Sequence, residues 1–158
     1  MIRLRFVTCS DEISAFIRLQ AGVCMPFTPS HVECVSQDGK HYIGQYFDGG
    51  MQARPVGYDA AILVAEKLVE LDRDGKGEAA FYGFINSKIG QPYDWTSILD
   101  FVDPALDLHQ ANHLICSAMM TAALRACGFF QWPLTVPFHR ISPRDLFLML
   151  SAIVEIDH

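Results

Sequence analysis

The chain places one cysteine where thiol chemistry is favoured. Cys116 stands in the run Asn112-His113-Leu114-Ile115-Cys116-Ser117-Ala118-Met119-Met120, where a polar, irregular stretch gives way to an apolar helix. A thiol at a helix N-terminus feels the positive end of the helix dipole, which favours the thiolate, the nucleophilic form. Cys127, deeper in the same helix, gains nothing from that field. A cysteine nucleophile also needs a base within hydrogen-bond reach and, usually, a third group that orients the base. His31 is the best candidate base: it opens a strand after the loop of Pro26, Pro29 and Ser30, so it can sit at a sheet edge facing a helix N-terminus. On residue type alone, a half-buried strand histidine is its commoner role.

The elements that must bring these groups together are written in the periodicity. Ile2, Leu4 and Phe6 alternate with polar neighbours, as in a short strand. Ser10-Asp11-Glu12 caps a helix with apolar positions Ile13, Phe16, Ile17 and Ala21, closed by Gly22. A strand from His31 to Val35, the Asp38-Gly39 turn and a strand from His41 to Phe47 form a hairpin, and Gln52 to Val56 is a further strand after Asp48-Gly49-Gly50. Ala60 to Leu71 reads equally as helix or strand. Glu78 to Ile89 reads as an amphipathic helix ended by Gly90, Tyr93 to Leu108 as an aromatic, irregular stretch, and Leu114 to Cys127 as a helix stopped by Gly128. Ser142 is the N-cap of a last helix, with Pro143 at its first position and Asp145 at its third. The expected architecture is a single α+β domain over residues 1–158, an antiparallel β-sheet or small barrel packed against helices.

Three segments together resemble a known family. Gly90-Gln91-Pro92-Tyr93-Asp94-Trp95 resembles the Gly-x-Pro-Tyr-x-Trp motif of NlpC-type papain-like cysteine peptidases. Ser30-His31-Val32-Glu33, followed by the Asp38-Gly39 hairpin, resembles their histidine strand, and Leu114-Ile115-Cys116-Ser117 their nucleophile helix. In ordinary members the cysteine motif precedes the histidine strand. Here His31 precedes Tyr93 and Cys116, an order similar to the circularly permuted branch, the YiiX-like and lecithin:retinol acyltransferase-like proteins. Ser142-Pro143-Arg144-Asp145-Leu146 also resembles the helix that follows the nucleophile in the YiiX-like group.

The resemblance implies a permuted papain-like fold in which Cys116 is the nucleophile and His31 the general base, taking the thiol proton and returning it to the leaving group. It places Tyr93 where members hold a tyrosine hydroxyl near the developing oxyanion; the backbone N–H of Cys116 is the other natural donor there. A core aromatic beside Trp95 is an equal reading of Tyr93. Members take their third residue from the strand after the histidine strand, which offers Gln45. Glu33 is the competing candidate, two residues from His31 on the same strand and therefore on the same face. A carboxylate holds an imidazolium better than an amide does, which favours Glu33. His41 resembles the second histidine of the acyltransferase-like branch but lies close to the turn.

Other signals are weaker. Asp72-Arg73-Asp74-Gly75-Lys76-Gly77 has the flavour of a calcium loop, yet Lys76 occupies a ligand position and Gly83 stands where a bidentate Glu belongs. Cys24, His31, Glu33 and Cys34 fit no zinc spacing, so no metal and no cofactor is expected. Cys9, Cys24, Cys34 and Cys127 read as small buried apolar residues, and His109 and His113 as loop histidines flanking the nucleophile helix. A net charge of −6 without a Lys/Arg cluster disfavours nucleic acid or an anionic membrane as partner. The apolar run Leu146 to Val154 is far short of the roughly 20 residues that span a bilayer. Met1 to Cys9 has no apolar signal region, and five cysteines lack a framework spacing, so a cytoplasmic location, or carriage in a phage or other delivery particle, is expected.

The functional expectation is a thiol hydrolase, an amidase or peptidase acting on a peptide, amide or acyl-lipid substrate through an acyl-enzyme. The alternatives are a binding or structural module of the same fold without turnover, and an acyltransferase. Phe27, Tyr46, Tyr93, Trp95, Trp132 and Phe138 would suit an apolar acyl pocket, although aromatic residues in a small domain are more often core.

Overall fold

A computed structural model describes residues 1–21, 27–93, 115–130 and 136–153 of the chain. Five antiparallel strands form one sheet in the order β4-β3-β2-β1-β5: β1 Ile2–Cys9, β2 His31–Val35, β3 His41–Tyr46, β4 Gly50–Pro55 and β5 Leu63–Leu71. Four helices are described: α1 Glu12–Ala21, α2 Gly75–Ser87, α3 Cys116–Ala126 and α4 Pro143–Ser151, with a 3₁₀ turn at Phe138–Arg140. The architecture is α+β. Among the described residues no helix is long and apolar enough to cross a membrane.

β1 is an inner strand that pairs with both β2 and β5, and it is covered on both faces. Ile2, Leu4 and Phe6 are fully buried toward the helices, in one cluster with Val32, Cys34, Val69, Leu71 and the α3 residues Met119, Met120, Ala123 and Leu124. Phe147 of α4 closes this core edge-on against Phe6, ring centroids 5.2 Å apart. The other face carries Arg5, Val7, His31 and Glu33. It is covered by α1 and by the loop between β4 and β5.

The caps explain the helix boundaries. Asp11 starts α1, accepting from Ser14 N–H at 2.9 Å and Ser14 Oγ at 2.6 Å. Ser142 and Asp145 make the expected capping box ahead of Pro143. α2 starts earlier than the periodicity predicts, at Gly75 rather than Glu78, because Asp74 caps it by accepting from Gly77 N–H at 2.8 Å; the Asp72–Gly77 segment is thus a helix start. It also ends at Ser87, short of Ile89. The ambiguous segment from Ala60 to Leu71 is strand β5 over Leu63–Leu71, held against the whole length of β1. The strand after the Asp48-Gly49 turn begins at Gly50 rather than at Gln52.

Gly50 ties the segment that carries Tyr93 to the edge of the sheet. Its φ is +72°, and an added Cβ would fall 2.2 Å from the Gln91 carbonyl oxygen. That close approach lets Met51 N–H donate to Gln91 O, and Gly90 N–H to Met51 O, both at 2.8 Å.

Candidate functional site

Cys116 is the first residue of α3, and its N-cap, Ile115, makes no side-chain capping bond. The first-turn N–H groups are therefore not occupied by a side chain of the capping residue. The thiol is 2% exposed, packed between the helix and the start of β2. Burial opposes a charge on the sulfur, but the His31 imidazolium and the backbone N–H groups of Val32 and Ser117 outweigh it and hold the thiol below its ordinary range. Ser117 Oγ donates to Ile141 O at 2.6 Å, which ties this end of the helix to the turn before α4.

His31 opens β2, with its side chain 17% exposed. Its Nε2 lies 3.5 Å from Glu33 Oε2, long for a hydrogen bond and close for a charge contact. Burial disfavours the imidazolium, yet the Cys116 thiolate and the Glu33 carboxylate more than offset this and push its pKa up to about 10. The thiol and the imidazole therefore shift one another in opposite directions, as an ion pair does.

Glu33 is fully buried. Its Oε1 accepts from Arg5 Nη1 at 2.6 Å, and its Oε2 from Tyr46 Oη at 2.5 Å and Tyr58 Oη at 3.1 Å. Burial works against the charge, but His31, Tyr46 and Arg5 keep the carboxyl below the usual carboxylate range. Arg5 is held in turn by Asp59, at 2.8 and 3.3 Å, and by Glu66 at 2.6 Å, and its guanidinium lies 4.2 Å above the Tyr42 ring. Burial and the neighbouring Glu33 charge push the Tyr46 and Tyr58 hydroxyls to higher pKa, so both stay protonated donors.

Gly44 makes this packing feasible. A Cβ there would stand 2.9 Å from Glu33 Cβ, closer than side chains tolerate, and 3.4 Å from His31 Nε2.

The two candidates for a third residue are thus separated. Glu33 faces His31. Gln45 is fully buried and its amide donates to the Gln91 and Pro92 carbonyls, at 3.3 and 2.6 Å, anchoring the segment that carries Tyr93. Tyr93 packs against Ile115 and Ala118 at the head of α3 and shares a cavity wall with His31. His41 is exposed at the hairpin, 4.0 Å from Asp38, away from this group. Cys9, Cys34 and Cys127 are buried, free thiols. Burial pushes the Cys9 and Cys34 thiols up, in contrast to Cys116. Cys34 lies on the opposite sheet face from His31 and Glu33, and among the described residues no three His, Cys, Asp or Glu side chains group as a metal site. Cys24, Trp95, His109, His113, Leu114 and Trp132 lie outside the described residues, while Phe27 and Phe138 pack against the core.

Arg5, Tyr46, Tyr58 and Asp59 surround Glu33 without having been expected there from the sequence. One signal was available: a charged Arg5 in the middle of a strand whose neighbours are apolar, and Glu33 likewise, each buried only with a counter-charge.

No protein-family model and no curated protein matches the sequence. The arrangement itself consists of a thiol held below its ordinary range at a helix start, an imidazole raised above its own, and a carboxylate 3.5 Å from that imidazole.

Proposed function

We propose that the protein is a cysteine hydrolase, cleaving an amide or an ester through an acyl-enzyme on Cys116, in a permuted papain-like arrangement of the YiiX-like kind. The observation that carries this reading is the meeting of Cys116 at the start of α3 with His31 at the start of β2 and Glu33 3.5 Å from His31 Nε2, the thiol being held below its ordinary range beside the imidazolium. A structural cysteine in an apolar core shifts the other way, as Cys34 does.

In this reading the thiolate attacks the substrate carbonyl carbon. The oxyanion forms near the N–H of Cys116 and the Tyr93 side chain. The leaving amine or alkoxide takes its proton from His31, and His31 then removes a proton from water, whose oxygen attacks the thioester and frees the acid and the thiol. Glu33 stabilises the imidazolium in both states. With Nε2 on the Glu33 side, Nδ1 is the nitrogen left to serve the sulfur.

The test is competitive labelling with iodoacetamide at neutral pH, read by peptide mass spectrometry. Cys116 should be modified ahead of the other four thiols, and Cys116→Ala should abolish hydrolysis of activated esters without a loss of fold. Labelling of Cys116 no faster than Cys127 removes the support for turnover. The second reading, a binding module without turnover, draws on the 2% exposure of Cys116 and is then the one left standing.

A further inference from the structure

Beside His31 and Tyr93 lies a cavity of about 80 Å³, walled by Val7 of β1, Ile13 and Ile17 of α1, and Ile62 of the loop before β5. Its exposed lining is mostly apolar, and apart from His31 and Tyr93 the polar side chains that reach it are engaged elsewhere. Asp11 caps α1 through Ser14, and Asp59 is clamped on Arg5. Ser30 Oγ donates to Val7 O and accepts from Cys9 N–H, at 3.3 and 3.4 Å. Tyr46 and Tyr58 donate to Glu33, and Arg54 pairs with Asp48 while stacking over both tyrosine rings. Gln45 Oε1 has no partner among the described residues, but it is itself covered. Burial, with Asp59 and Asp11 nearby, pushes the Cys9 thiol up to about 11, so the thiol adds no charge to this wall. A charged or strongly polar group seated between Val7, Ile13, Ile17 and Ile62 would lose its water and find no partner on that side, the polar contacts open to a substrate being His31 and Tyr93 at the reacting end.

Size narrows the class further. An apolar cavity of about 150 Å³ accepts a benzene ring. Roughly half that volume takes a branched group of three or four carbons, and neither an aromatic ring nor a long acyl chain.

We propose that this cavity is the acyl-side pocket of the site and selects a short, branched aliphatic group next to the carbonyl that Cys116 attacks. The proposal rests on the cysteine-hydrolase reading and names its substrate class. It sets aside long-chain lipids and makes amides or esters of small aliphatic acids, or of residues such as valine, the preferred acyl donors.

The experiment uses p-nitrophenyl acetate, isovalerate, benzoate and octanoate. In each case Sγ attacks the ester carbonyl, the C–S bond forms, the C–O bond breaks, and nitrophenolate leaves with the electron pair. Transfer onto Cys116 is followed by intact mass and each rate is divided by that of free cysteine with the same ester. Isovalerate should exceed octanoate and benzoate by about tenfold or more, the scale on which an apolar pocket discriminates. Ile17→Trp, which fills the cavity from the half-exposed α1, should bring the isovalerate-to-acetate ratio to about one, and Ile17→Ala should move the optimum toward longer chains. Equal normalised rates, or no transfer of any ester by a protein whose Cys116 still takes iodoacetamide selectively, overturns the pocket. Failure of iodoacetamide to select Cys116 overturns the underlying hydrolase reading instead.

Discussion

Arg5 and Glu33 stand opposite one another on β1 and β2, and their buried side chains meet at 2.6 Å. The strand register alone brings a full positive and a full negative charge together inside the fold. A second carboxylate, Asp59, then arrives from the β4–β5 loop and accepts from Nη1 and Nη2, while Glu66 of β5 accepts from Nε. Glu33 is thereby fixed from one side, while its other oxygen is turned toward the tyrosines and His31.

Removing the cation leaves two buried carboxylates facing each other. Arg5→Met should therefore destabilise the protein by about 3–5 kcal/mol, the cost of breaking a buried pair. Adding Glu33→Gln and Asp59→Asn to it should recover much of that loss, since the uncompensated charges go with the partner. Urea denaturation of the single and triple variants checks both statements. A single variant as stable as the wild type would mean that the network carries little of the fold.

The same carboxylate sets an acid limit. Glu33 is held below its ordinary value of 4.5, so its contribution is fully present above that pH and is lost as pH falls through the lower folded value. Stability against urea should decline below about pH 4.5, and Glu33→Gln should flatten that decline. A Glu33→Gln protein with an unchanged acid limb would place the responsible carboxylate elsewhere.

Cys116 and His31 predict a pH profile with two edges. The thiol is lowered, so its labelling by iodoacetamide should begin below the ordinary value of 9. The imidazole is raised, so turnover, which needs its proton for the leaving group, should persist and then fall through about 10. His31→Ala removes the main charge that opposes burial, so the thiol should rise. Labelling at pH 7 should then slow, because the thiolate fraction falls as the pKa climbs. Stopped alkylation followed by mass spectrometry across the pH range reads the two labelling outcomes, and steady-state release of nitrophenolate from an activated ester across the same range reads turnover.

How much of this was legible depends on how local each feature is. Asp38-Gly39, the Ser142 capping box and the shared face of His31 and Glu33 follow from turn chemistry and strand periodicity, and the structure has them where the residues predict. β5 was ambiguous for a physical reason. As an edge strand it carries exposed Val64 and Leu68 beside buried Val69 and Leu71, so apolar residues fall on both faces and blur the period of two. The start of α2 was hidden because Gly75 and Gly77 are poor helix formers and Asp74, the cap, sits amid charges. The Arg5–Asp59 clamp joins residues 54 positions apart, through a loop with no pattern of its own, and no window of sequence contains both.

Gly44 gives a test of the packing. An added methyl would press on Glu33 Cβ at 2.9 Å, from a strand whose neighbours cannot withdraw. Gly44→Ala should cost about 1–3 kcal/mol, in the range of core overpacking. It should also widen the His31–Glu33 contact and lower the upper pH edge of turnover. A thermal shift without any change in the pH profile would assign Gly44 to packing alone.

The last comparison separates Glu33 from Gln45. Glu33 acts on His31 through charge, so Glu33→Gln, nearly isosteric, should leave the Tyr93 segment in place while lowering the upper edge of the pH profile. Gln45 acts through two hydrogen bonds to the Gln91 and Pro92 carbonyls, so Gln45→Ala should free that segment. The effect expected is slower acyl transfer with an unchanged pH profile, because the charges around His31 remain, together with faster amide exchange near Tyr93. If Glu33→Gln instead leaves both rate and profile intact while Gln45→Ala abolishes turnover and moves the pH edge, the orienting role belongs to the amide and the carboxylate serves only the Arg5 cluster.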